Sequence, residues 1–510
     1  MAGIIGLRRG CCLSVGVFVA YLVLASCSVF SEYIWDNEAW FASPAFTLIH
    51  RGYLGTTILE SQGTWMAGMD RHTYWIPPVY PLAQAAWFRF FGFGLAAMRY
   101  LSVAAGGLVL FAWYLIVSRL AGGRGIALLS IAFIAIDPRF VIFSVLGRPD
   151  TLCAALGALG WAVYLRLRER SLARAILAGS ALTAASCLTH PCGELYAAGL
   201  LVLALYFDWR RMSWHNWVRL AAPYVLAVIA WAAYILRAPA AFMSQFFGNI
   251  GGIGTEFSGV DRLAGLKAPL TALKREFFLR YGSTFGWHST NPLERIQIFA
   301  LVIYTIGVAG CLLTPAIRNN HGCRVLLLVG SLTYATLAIV DGFKGSGYLV
   351  HTMPMACALL AIFVRYCFVL RPALRWATAA MLVLFVAVQG FALLRNFTVT
   401  PQRWDYENAV AFLRRAGAAP SQVTGAGEFA FALGFDSGMV DDIRLGYYSG
   451  RRAPWIAANN IYAGWLQQSA RLNPAVHEYM TRLLRDDYRI AFRNSGYTVY
   501  QLNAGSAARP

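Results

Sequence analysis

Apolar runs, each broken by a short polar turn, fill the chain to about residue 394. A helix rising 1.5 Å per residue needs about 20 apolar residues to cross ~30 Å of hydrocarbon. The pattern predicts eleven spans, of which the first seven lie at about 11–31, 96–118, 125–146, 151–166, 173–189, 194–208 and 217–236. An eighth ends near Arg318, a ninth at Asp341, a tenth covers about 346–370 and an eleventh about 373–394. Two long polar and aromatic loops interrupt the series, at about 32–95 and 237–293. Within the first, Pro77 to Phe91 is short, opens on Pro77-Pro78 and carries Arg89, so it reads as an interfacial or re-entrant helix.

From about residue 395 the pattern changes. Trp404 to Ala416 reads as a helix, Gln422 to Gly425 as a strand, and Tyr488 to Leu502 as a hairpin turning at Asn494-Ser495-Gly496. The expected architecture is therefore an α-helical polytopic membrane protein with a small C-terminal α/β domain. The membrane domain covers 1–394, including the outer loops 32–95 and 237–293, and the α/β domain covers 395–510.

Arginine fixes the expected orientation. Arg119 and Arg124, the run Arg166 to Arg174, Arg210 to Arg219, Arg318 with Arg324, and Arg371 with Arg375 all fall on one side, which the positive-inside rule makes cytoplasmic. The two long loops, the Gly147-Arg148-Pro149-Asp150 turn, the His190 turn, the Asp341–Ser346 turn and the C-terminal domain then fall outside. The chain of 510 residues is 58% hydrophobic and only 13% charged, far from a soluble composition. Its net charge of +19 is spread over inter-span turns, so nucleic acid is not an expected partner. The ten cysteines all precede Phe368, mostly in apolar spans, and indicate neither a disulfide framework nor a cysteine metal site. Arg8-Arg9 followed by an apolar run and Leu24-Ala25-Ser26-Cys27 is lipoprotein-like, but the run is long enough to span, and ten more spans follow.

A short set of outward groups could do chemistry. Asp36 and Glu38 stand where the first span ends, and either could serve as a general base for an attacking hydroxyl. Asp150, beside Arg148, is a second acidic group on that face. The turn from Asp341 to Tyr348 is glycine-rich, carries Lys344 and precedes His351 by less than one helical turn. Free N–H groups and a cation at a helix start suit an anionic phosphate. His72 in the first loop and Arg280 in the second are further groups for it. Asp137 and Arg139, deep in the third span around Pro138, read as a kinked structural pair.

Asp36-Asn37-Glu38, Pro77-Pro78-Val79-Tyr80-Pro81, Phe91-Gly92 with Arg99, Gly147-Arg148-Pro149-Asp150 and Tyr348 through Pro354 occur in that order. Together they resemble the GT-C superfamily of membrane glycosyltransferases, in its bacterial branch similar to protein O-mannosyltransferases and lipid A aminoarabinose transferases. The resemblance implies a GT-C-like fold and an inverting transfer of a sugar from a polyprenyl-phosphate donor, on the outer face of a bacterial inner membrane. The acceptor class stays open between glycan, lipid and protein. It implies Asp36 or Glu38, and then Asp150, as the catalytic acids. It implies phosphate binding by Lys344, Tyr348, His351, Arg280, His72 and Arg148, with membrane lipid around the prenyl tail. Relatives usually carry adjacent acids where Asn37 intervenes here, and Lys or His where Ile76 stands. No cofactor is required; a divalent cation is compatible, and no metal ligand is assigned. A transporter or flippase of lipid-linked saccharides, using Asp137 and Arg139, is the alternative; an O-antigen polymerase or ligase would share the topology without needing Asp36.

Overall fold

The computed structural model describes residues 2–251, 264–398 and 401–504. The chain divides into two compact units. One comprises Met1–Phe30, Arg99–Ala233 and Leu263–Thr398; the other comprises Ser31–Met98, Tyr234–Arg262 and Val399–Pro510. The second outer loop, predicted at 237–293, is thus shared between them, and its residues 252–263 lie outside the described part.

A helix stands at each predicted span. Among the described residues seven helices are long and apolar enough to cross a membrane, including Leu95–Leu120, Trp214–Ile235, His321–Val340 and Ser346–Leu370. The third predicted span is broken into Arg124–Ile136 and Pro138–Phe143, and the fourth to sixth are Pro149–Leu167, Leu172–Cys187 and Gly193–Asp208. The apolar window of Trp214–Ile235 has no buried residue, and Val225, Leu226, Val228 and Ile229 stand exposed. Such a surface is stable only against lipid, and this chain is a multi-pass membrane protein.

In the first unit, small residues let three helices approach closely. A Cβ on Gly157 would meet the Tyr196 ring at 2.0 Å, one on Gly160 the Thr183 methyl at 2.7 Å, and one on Gly199 the Trp161 ring at 2.1 Å. Close backbone approach of this kind is how membrane helices gain packing energy without a hydrophobic driving force. It welds Pro149–Leu167, Leu172–Cys187 and Gly193–Asp208 into one block, and so fixes the two turns that carry Asp150 and His190. At its arginine-rich end the block is tied by Asp208, which accepts from Arg168 Nε at 2.7 Å and from the Tyr164 hydroxyl at 2.6 Å.

The break at Asp137-Pro138 bears out the predicted kink. Asp137 caps the following helix by accepting the Phe140 N–H at 2.8 Å. Its other oxygen accepts from the Tyr304 hydroxyl at 2.7 Å and from Gln389 Nε2 at 3.0 Å. Arg139 donates to Gln297. The sequence reading paired Asp137 with Arg139; it could not foresee these partners from two other helices.

The second unit holds a four-stranded sheet of β1 (Val423–Gly425), β2 (Trp455–Asn459), β3 (Tyr488–Arg493) and β4 (Tyr497–Leu502), in the order β1-β2-β4-β3. β1 and β2 are parallel; β4 is antiparallel to β2 and β3. The predicted strand, hairpin and helix (here Pro401–Arg415) are all present. The first loop is not irregular throughout: Asp36–Arg51 and Val79–Phe91 are helices. The loop is stitched to the C-terminal segment by backbone, with Asp441 N–H donating to Ile58 O at 2.6 Å and Glu60 N–H to Asp441 O at 3.0 Å. Gln245 ties in a third segment, accepting the Tyr74 N–H at 2.8 Å and donating to His72 O at 2.9 Å.

Candidate active site

The predicted residues fall into two groups, one in each unit. Asp36, Glu38 and His72 belong to the second unit; Arg148, Asp150, Arg280, Lys344, Tyr348 and His351 belong to the first.

In the second unit, Asp36 opens the helix Asp36–Arg51, and its Oδ1 accepts the N–H of Asn37 at 2.7 Å. Acids in a first helical turn are favoured by the N-terminal end of the helix dipole. Glu38 is fully buried, and its Oε2 accepts the Trp35 N–H at 3.1 Å, which is one half of a capping box. Asp36 remains partly exposed. His72 stacks on Tyr74 with ring centroids 5.7 Å apart and planes at 2°.

Two further acids stand by Asp36, and sequence reasoning missed both. A Cβ on Gly427 would meet Trp40 Nε1, Asp441 Oδ2 and the Asp36 carbonyl, all at 3.0 Å or less, so the turn at Gly427 lies directly on the start of the Asp36 helix. Glu428 is 1% exposed and Oε1 accepts from Asn459 Nδ2 and the Tyr497 hydroxyl, each at 3.0 Å. Asp441 accepts from Trp40 Nε1 at 2.7 Å and from the Tyr462 hydroxyl at 2.6 Å. Burial, followed by the negative charge of Asp36, pushes Glu428 up to about 8. Burial pushes Asp441 up to about 7, with Asp36 adding to the rise and the Tyr462 hydroxyl opposing it. Both acids thus carry protons over a range where an ordinary carboxyl is ionised.

In the first unit, six predicted residues come together from three stretches of sequence. Asp150, 2% exposed, accepts from Arg148 Nε at 3.0 Å, and its Oδ1 lies 4.0 Å from His190 Nε2. The His190 ring centroid is 5.5 Å from that of Tyr348, and Arg280 lies over the Tyr348 ring at 5.4 Å. His351 Nδ1 is 3.1 Å from the Tyr196 hydroxyl. Gly347 faces the Arg148 guanidinium at about 4 Å. The glycine-rich turn therefore lies beside the Gly147–Asp150 turn.

Arg280 sits in a π-helical turn, Glu276–Gly282, a distortion common at functional sites. It is fully buried, pairs with Glu276 and donates to Asp341 Oδ2 at 2.9 Å. Lys344 Nζ pairs with Glu276 Oε2 at 3.1 Å and donates to Ala338 O. Lys344 has φ of 60°, a conformation that costs an L-residue roughly 1–2 kcal/mol. Burial lowers its pKa, and Glu276 opposes that. Arg280 and Lys344, two of the predicted phosphate cations, are thus matched by two acids, Glu276 and Asp341, that sequence reasoning left unassigned. Donor atoms of the predicted His351 and of His190 and Cys192, which no pattern assigned to the site, lie within 4.8 Å of one another.

Comparisons with known proteins match this architecture. The family model for dolichyl-phosphate-mannose-protein mannosyltransferase matches residues 76–234. No curated protein matches the chain. The solved structure of ArnT from Cupriavidus metallidurans, bound to undecaprenyl phosphate, superposes with a TM-score of 0.56 at 15% identity, covering 97% of this chain and 99% of that one. The oligosaccharyltransferase AglB from Archaeoglobus fulgidus, in complex with an inhibitory peptide and a dolichol-phosphate, gives 0.53 at 12% identity over 97% of this chain and 74% of that one. The arabinofuranosyltransferase AftD from Mycobacteria gives 0.51 at 14% identity over 96% and 40%. At these identities the likeness is one of fold: this chain has the GT-C fold that these membrane glycosyltransferases share.

Proposed function

We propose that the protein is an inverting glycosyltransferase that moves a sugar from a polyprenyl-phosphate donor to an acceptor on the outer face of a bacterial inner membrane. The observation that carries this reading is the gathering of Arg148, Asp150, Arg280, Lys344, Tyr348 and His351 around two turns of the first unit. Two of the similar solved structures hold a polyprenyl phosphate, which supports the donor class.

Asp36 removes the proton of the acceptor hydroxyl, and the oxygen attacks the anomeric carbon. The bond to the phosphate oxygen breaks, and the leaving polyprenyl phosphate is a stable anion that needs no general acid. Asp36 is preferred to Glu38 because Glu38 is buried and spent on capping. Arg148 and Arg280 supply cationic N–H groups to the phosphate, and Tyr348 a hydroxyl; Lys344 reinforces them through Glu276. Asp150 orients the sugar or the acceptor. The test is a transfer assay with purified protein in detergent and short-chain polyprenyl-phosphate sugars. Release of polyprenyl phosphate coupled to acceptor glycosylation is expected; accelerated passage of intact donor across a vesicle bilayer without its cleavage would support the transporter reading instead. Reporter fusions at Arg168 and Arg211 are expected to read cytoplasmic, and a fusion after Pro510 external.

A further inference from the structure

His190 lies in the turn before Gly193–Asp208, Cys192 is the N-cap residue of that helix, and His351 occupies the first turn of Leu349–Leu370. His190 and Cys192 are half-buried, and His351 is 1% exposed. His351 Nδ1 faces the Tyr196 hydroxyl at 3.1 Å, whereas its buried Nε2 has no hydrogen-bond partner among the described residues. A buried imidazole nitrogen without a partner calls for a ligand. Asp150 supplies a second such atom: its Oδ1 is buried without a hydrogen-bond partner, 4.0 Å from His190 Nε2.

We propose that His190, Cys192 and His351 bind a zinc-class divalent metal ion, with Asp150 holding the His190 ring. Two imidazoles and a thiolate are the donors of a borderline-soft ion; Mg²⁺ and Ca²⁺ take oxygen ligands instead. A Tyr196 oxygen that accepts from His351 Nδ1–H leaves the Nε2 lone pair to the metal, the usual arrangement behind a ligating histidine. In His190, Nδ1 receives the Cys192 N–H at 3.2 Å and Nε2 faces Asp150. Ligation through Nδ1 would displace the Cys192 N–H from that lone pair, and Nε2–H would then donate to the Asp150 carboxylate. Donors around a tetrahedral zinc stand roughly 3.5 Å apart, so separations within 4.8 Å close by side-chain rotation. The His190 side chain is 13% exposed, which gives the ion a way in, and three protein donors leave a fourth position for an oxygen ligand. The site does not depend on the glycosyltransferase reading, because binding is measurable without turnover.

The test uses full-length protein in detergent, stripped with a chelator and reloaded with Zn²⁺ or Co²⁺. About one zinc per chain and a thiolate-to-cobalt charge-transfer absorption are expected. Cys192→Ser should abolish the absorption, His351→Gln should weaken zinc binding by at least tenfold, and Cys27→Ser should change neither. Tyr196→Phe should weaken zinc roughly 10–100-fold while keeping the absorption, as loss of a partner behind a ligand does. Zinc should also slow alkylation of Cys192 in the unaltered protein, which needs no variant to fold. Absence of bound zinc, an absorption that survives Cys192→Ser, or zinc binding lost with Asp36→Asn but kept with Cys192→Ser would each overturn the proposal.

Discussion

Two clusters, one in each unit, treat buried acids in opposite ways. In the first, Arg280 and Lys344 meet Glu276 and Asp341, two basic side chains against two acids. In the second, Glu428 and Asp441 take their hydrogen bonds from neutral donors, Asn459, Tyr497, Trp40 and Tyr462. The first arrangement is balanced by charge and is costly to break on one side. The second is balanced by protons and is sensitive to pH. A charge-balanced cluster holds basic N–H groups in place for an anion, whereas a site that accepts a hydroxyl proton needs a carboxylate whose neighbours do not draw the proton away.

The comparison breaks most readily at Asp36. Asp36→Asn should lower turnover by about 10²–10⁴ with folding intact, the range for loss of a general base. Glu38→Gln should cost stability more than turnover. Equal, small effects of both on turnover would remove the proton step from this unit.

A second break leaves an acid stranded. Arg280→Met leaves the buried Glu276 facing only Lys344 and should cost about 3–5 kcal/mol of stability. A combined Arg280→Met, Glu276→Leu change should recover much of that in a thermal melt. If the single change were harmless, the cluster would not be balanced as described.

Lys344→Ala should weaken binding of a polyprenyl-phosphate donor roughly 10–100-fold, equivalent to about 1.4–2.7 kcal/mol. Unchanged donor binding with a lowered melting temperature would make Lys344 a partner of Glu276 and nothing more.

A further test concerns pH. Folding raises Glu428 and Asp441 from ordinary carboxyl values to about 8 and about 7. Between those limits the folded chain holds more protons than the unfolded one, so stability falls as pH rises from about 4 to 8. The contribution is fully present below the unfolded values and lost above the folded ones. Glu428→Gln should flatten the decline in melts taken across that range, and a melting temperature that rises with pH would contradict it.

The spans were legible because hydrocarbon imposes one composition on any helix that crosses it, and the acids at their ends followed from counting turns. The helix Asp36–Arg51 was not: Pro44 interrupts it and polar residues open it, so it read as loop. Strand β2 was also missed, since Trp455–Asn459 does not alternate. Pairing was the least legible level. Asp441 is 401 positions from Trp40, and His351 is 155 from Tyr196. No local spacing announces contacts made only when helices pack.

The break at Asp137 bears on how the protein is made. Its hydrogen-bond partners Tyr304 and Gln389 follow 167 and 252 residues later in the chain. During synthesis the third span therefore leaves the ribosome with a polar group that nothing yet satisfies. A central Asp costs about 2.5–3.5 kcal/mol at insertion, which the apolar run before it can offset. The debt is settled only when the last span, Arg375–Thr398, arrives. A nascent chain cut before Arg375 should hold its early helices loosely, so the final span acts as a late checkpoint on assembly of the whole bundle.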